Sequence, residues 1–159
     1  MQPTPDEQRA LAELLVHQRW AALATQEAGE PNAAMVAYAV EPHFAGFLML
    51  LSRLSLHTRH LLAERRACLL VSAPDVNVYD PQTLPRAALV GAVEVLDRDA
   101  PHYATARDYY AARLPASERL FDFGDFELFR LVPREVRFVA GFGRAMTLTA
   151  AQLARCAPA

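Results

Sequence analysis

The chain has 159 residues, 53% of them hydrophobic, with a formal net charge of −2. That is enough for one domain with a real core, and it lacks the basic field of a general nucleic-acid binder. All 16 basic residues are arginine, so no lysine side chain can form a Schiff base, serve a P-loop or act as a desolvated amine base.

The predicted elements follow in chain order. Thr4-Pro5-Asp6-Glu7 combines a hydroxyl cap, proline at the first helical position and an acid three residues after the cap; Leu11, Leu14 and Leu15 then recur at helical spacing, giving a short amphipathic helix. The N-terminal segment carries acids where a signal peptide has its basic end, and no run reaches the roughly 18 apolar residues of a membrane span, so a cytoplasmic protein without a membrane partner is expected. Trp20 to Thr25 and Asn32 to Val40 read as strands joined through the turn chemistry of Glu27 to Pro31. Phe47 to Leu51 is a buried strand, followed by a knot of hydroxyls and arginines and a helix from Leu56 to about Arg65.

Ala67 to Ala73 is the next strand, Asp75 to Pro85 a loop, and Arg86 to Leu96 the longest strand, with Gly91 marking a bulge or a close approach. A helix over Asp99 to Arg113 follows. A strand starts near Phe126, Pro133 is expected to turn the chain, and Val136 to Gly141 returns as the last strand before a second capping box, Thr149 to Gln152, opens a terminal helix. Many strands joined by short turns, with few helices, predict a mainly β fold: six or seven antiparallel strands in a closed or half-closed barrel, one domain over 1–159. A doubly wound parallel sheet would need crossover helices that the pattern lacks.

The knot holds Ser52, Arg53, Ser55, His57, Thr58 and Arg59 where a strand ends and a helix begins. Free amides at a helix start, with hydroxyls and guanidinium forks beside them, suit a phosphate; the plainer alternative is a helix cap flanked by solvated arginines. His57 and His60 share a helical spacing, but no nearby Cys, Asp or Glu completes a coordination set, so no metal site is expected. Cys68 and Cys156 are isolated thiols that fit no metal spacing. Gly141 and Gly143 look like half of a dinucleotide fingerprint, yet too little chain follows for a βαβ unit. Asp122, Asp125 and Glu127 alternate with phenylalanines and read as the start of a half-buried strand, not as a carboxylate pair.

Several blocks in order, ALAT before a Gly-x-Pro turn, AAMVAYAV, LLSRLSLHTRHLLAERRACLLV, PRAALVGAVEVL and VAGFGRAMTL, resemble the FMN-binding split-barrel superfamily founded on pyridoxamine phosphate oxidase, and within it the haem-utilisation branch. The resemblance implies a homodimer with FMN at the subunit interface, the backbone of Met35, Val36 and Ala37 along the flavin ring, Ser52 with Thr58 and Arg59 on the phosphate, and Arg86 where the oxidase has a Gln. Leu51, His57 and Arg144 complete the expected cofactor-binding set; the catalytic residues and the substrate stay unnamed. The oxidase's basic residue ending its second strand is missing at Tyr38-Ala39-Val40, and GFGRAMTL replaces its C-terminal Arg-Leu-His-type segment, so pyridoxamine phosphate oxidation is not expected. The branch's further C-terminal, histidine-bearing domain is likewise not expected in a chain ending at Ala159. An FMN-dependent oxidoreductase acting on a small molecule is the leading expectation. The alternative is a flavin or haem binding module without turnover of its own.

Overall fold

The computed structural model describes residues 2–141 and 143–158. Helix α1 (Pro5–His17) starts at the predicted capping box: the Thr4 hydroxyl accepts from the Glu7 amide, and the Glu7 carboxylate accepts from the Thr4 amide. Its apolar stripe buries Leu11, Leu14 and Leu15.

Strands β1 (Trp20–Glu27) and β2 (Glu30–Ala37) form a hairpin with Glu27 opposite Glu30. The two turn residues, Ala28 (φ 51°) and Gly29 (φ 85°), both adopt the left-handed backbone that matches the twist of a tight hairpin. The predicted strand through Val40 breaks at Tyr38, and β3 (Ala39–Val40) pairs instead with β4 (Phe47–Ser52). Helix α2 (Leu56–Ala63) stops before Arg65, because Arg66 already opens β5 (Arg66–Ser72). Strand β6 (Arg86–Val95) and helix α3 (Tyr103–Arg113) follow; turns occupy the positions before Tyr103 that the sequence assigned to that helix.

Pro133 does not turn the chain. Strand β7 (Phe126–Val139) runs through it, with a register shift at Val90/Gly91 of β6 that places Gly91 opposite Pro133. A Cβ on Gly91 would lie 2.0 Å from the Val132 carbonyl oxygen, so the bulge that accommodates the proline needs glycine on the facing strand. The last strand is accordingly β8 (Ala145–Thr149), which the sequence reading passed over, and α4 (Ala150–Arg155) begins at the second predicted capping box.

The strands form one antiparallel sheet in the order β2-β1-β5-β6-β7-β4-β3, with β8 also on β7. Residues Phe126–Leu131 of β7 pair with β4 and Glu135–Val139 pair with β8, so the long strand joins two halves of a curled sheet. The concave side encloses Leu23, Tyr38, Phe47, Met49, Leu69, Leu89, Phe129 and Phe138 with α1 and α4 residues. Across β4 a second cluster packs Leu48, Leu50 and Leu128 against Tyr103, Tyr110 and Phe121. This double burial explains why the sequence of β4 is continuously apolar. Among the described residues no helix is long and apolar enough to cross a membrane.

Candidate functional site

The knot forms because β4 must leave the sheet at Ser52 and reverse into α2. Its first hydroxyl is held from across the sheet: Ser52 Oγ donates to Asp125 Oδ2 at 2.5 Å and accepts from the Leu54 amide at 3.1 Å. The Arg53 amide donates to the Asp125 carbonyl at 2.7 Å, and its guanidinium forks onto Glu127 at 2.6 and 2.9 Å. That pairing raises the Arg53 pKa further above its ordinary value. Ser55 is the N-cap of α2 but makes no side-chain capping bond.

The α2 residues differ among themselves. Thr58 is fully buried and its hydroxyl has no hydrogen-bond partner, a cost that buried polar groups seldom bear without a reason. His57 is half-buried, and burial, reinforced by the neighbouring His60, holds its pKa below the ordinary histidine value. Arg59 is exposed and has no acidic partner among the described residues. His60 is buried and occupied: Nδ1 lies 3.3 Å from Thr25 Oγ1 and Nε2 lies 3.6 Å from Glu27 Oε2, while Asn32 Nδ2 donates to the same threonine at 3.4 Å. Thus α2 is fastened to the β1–β2 hairpin through His60, leaving Arg59 free.

Strand β2 lies at the edge of the sheet, so alternate backbone groups along Met35, Val36 and Ala37 have no ladder partner beyond β1. Met35 is half exposed, Ala37 is half-buried, and Val36 points into the core, where Leu51 also lies. The structure therefore brings β2, the end of β4 and the start of α2 to one side of the half-barrel. Arg86 and Arg144 lie apart from this strip in a single chain. Arg86 sits three strands across from β2, its Nη1 donating to the Gln82 and Leu84 carbonyls at 3.1 Å. Arg144 is paired with Glu7 of α1.

Two features escaped the sequence reading. Asp125 and Glu127 read locally as the start of a strand, and nothing within that segment signals partners more than 70 residues away. The convex face of the sheet is the other. Met35, Ala22, Leu70 and Ala88 lie in one cross-strand row and Ala33, Ala24, Cys68 and Val90 in the next, forming a broad apolar surface that no element of the described residues covers. A shallow concavity of about 380 Å³ on it is lined by Ala24, Cys68, Val90, Arg66 and Arg134, among others. Burial raises the Cys68 thiol pKa above its ordinary value.

Comparison with known families decides the affiliation: the family described as CREG, beta-barrel, matches residues 3–154. The chain belongs to this CREG beta-barrel family. Its curated relative in Arabidopsis thaliana, the chloroplastic non-canonical heme oxygenase HOZ, is 35% identical over 120 residues; the match covers 74% of this chain and 34% of the relative. A heme binding protein from Mycobacterium smegmatis superposes with a TM-score of 0.85 at 25% identity, covering 98% of this chain and 62% of that one. The chain thus spans about a third of the one protein and under two thirds of the other. A Clostridium acetobutylicum protein related to general stress protein 26, of the pyridoxinephosphate oxidase family, superposes with a TM-score of 0.69 at 14% identity over 95% of this chain and 99% of its own, a likeness of fold alone. This member of the CREG barrels therefore has the split-barrel fold shared by haem-binding and flavin-type proteins.

Proposed function

We propose that this chain is a cofactor-binding split barrel of the haem-binding kind, acting as a homodimer. The observation that carries the reading is the unengaged polar equipment at the start of α2: a free guanidinium on Arg59 and an unpartnered buried hydroxyl on Thr58, in a turn whose other guanidinium, Arg53, is already paired with Glu127. A flat cofactor with an anionic arm matches it, the arm on Arg59 and the plane along Met35 to Ala37. His57, neutral at physiological pH and without a hydrogen-bond partner among the described residues, is the candidate donor to the iron. Haem, when bound, would supply redox chemistry that no side chain here provides; the chain's part is to hold and orient it and to limit water. The relatives in Mycobacterium smegmatis and Arabidopsis thaliana favour haem over other flat cofactors.

FMN is the second reading, favoured by the edge position of β2, whose free backbone groups could hydrogen-bond the rim of an isoalloxazine ring. On that reading a flavin-dependent oxidoreductase, with Arg86 reaching the flavin from the second copy, remains the fuller proposal. The dimer itself is proposed because the uncovered convex face is apolar and broad, and a second copy of the same face would bury it.

The test is titration of the purified chain with haem and with FMN, alongside Arg59→Ala. Haem is expected to saturate, with roughly 10-fold weaker binding in the variant, the low end of one lost charged hydrogen bond. Equal haem affinity in the two proteins would overturn the placement at α2.

A further inference from the structure

We propose that Asp125 is a specificity-determining residue, a fixed negative charge that turns the cofactor's anionic arm from a phosphate to a less charged group. The proposal rests on the cofactor-binding reading above and concerns which cofactor that site accepts.

A hydroxyl has one proton to donate. That of Ser52 goes to Asp125 Oδ2 at 2.5 Å, while a lone pair takes the Leu54 amide. An anion arriving at Ser52 would therefore meet lone pairs and a carboxylate instead of a donor. The acid's backbone is fastened as well, through the bond from the Arg53 amide to the Asp125 carbonyl. Two positions on, Glu127 takes the Arg53 fork, so the start of β7 neutralises one of the two arginines and occupies the hydroxyl that would serve a phosphate.

The charges left at the turn are Arg59, at plus one, and Asp125, at minus one. A phosphate dianion would be undercompensated there and would feel Asp125 at short range, where screening is weakest. A carboxylate, with half the charge and one face open to water, suits a lone exposed arginine. Riboflavin, which has the ring of FMN without its phosphate, isolates the effect.

The experiment measures dissociation constants for FMN and riboflavin by flavin fluorescence and for haem by absorbance, on wild type and on Asp125→Asn. Wild type is expected to bind riboflavin at least as tightly as FMN, the reverse of a built phosphate site. Asp125→Asn should tighten FMN about 10-fold or more while changing riboflavin and haem less than about 3-fold. Wild type holding FMN 10-fold more tightly than riboflavin would overturn the proposal, as would an unchanged FMN-to-riboflavin ratio in the variant or a variant that keeps the wild-type circular dichroism and binds no flavin. The wild-type comparison stands even if the variant folds poorly. Failure of haem to saturate, with the flavin pattern as expected, would instead remove the haem reading and leave Asp125 in its role.

Discussion

Among the individual residues, Glu7 joins the start of α1 to the segment before β8. It closes the capping box of α1 and accepts from Arg144 at the turn before β8. The Arg144 hydrogen bonds, and then the Thr4 amide, hold its carboxyl below the ordinary glutamate range. A depressed folded pKa means that this stabilisation is present at neutral pH and is lost as the pH falls through that lowered value. Glu7→Gln is accordingly expected to unfold at lower urea at pH 7 and to lose less further stability than wild type on acidification; parallel pH profiles for the two proteins would refute the linkage. Thr58 supports the opposite kind of prediction. Because its hydroxyl is buried and unpartnered, Thr58→Val should leave the cofactor-free protein as stable or more stable, by up to about 1 to 2 kcal/mol. A comparable loss, measured by denaturant unfolding, would mean that the hydroxyl has a partner after all.

For single elements, the long strand β7 carries the sharpest expectation. Its bulge at Pro133 works because Gly91 has no Cβ to strike the Val132 carbonyl. Gly91→Ala should destabilise by about 2 kcal/mol or more, since the obstacle is backbone that cannot rotate away. An unchanged melting temperature would contradict the close approach. The same strand shows what can be read from sequence. Capping boxes, the tight hairpin and the apolar run of β4 are written in neighbouring residues, and each formed as expected. Pro133 misled because proline is excluded from a ladder only where its missing amide is needed, and the facing glycine lies more than 40 residues earlier in the chain. Strand β8 alternates Met146 and Leu148 with Thr147 and Thr149, but five residues are a short signal, and it becomes a strand through pairing with β7. The phosphate-like knot was legible as polar residues at a helix start, whereas the carboxylates that occupy half of it come from another strand.

The whole molecule is a half-barrel in which β4 is covered on both faces and the outer face of β1, β5 and β6 is left open. Alternation along β1, β5 and β6 places Leu23, Leu69 and Leu89 inside and Ala22, Leu70 and Ala88 outside, so the outward set is apolar where a monomer would carry charge. A homodimer through this face is the expected solution state, and Leu70→Arg should yield a folded monomer by light scattering at micromolar concentration. Wild type running as a monomer there would contradict it. If dimerisation completes the cofactor site, the same variant should also bind haem more weakly, because ligand binding and association are linked.

The most direct measurement of the central claim is a haem titration of the unliganded wild-type protein, followed through the Soret band. A shifted band that saturates at one haem per protomer is the expected result. A linear rise without saturation, equal to that of haem in buffer, would contradict the assignment of this barrel to haem.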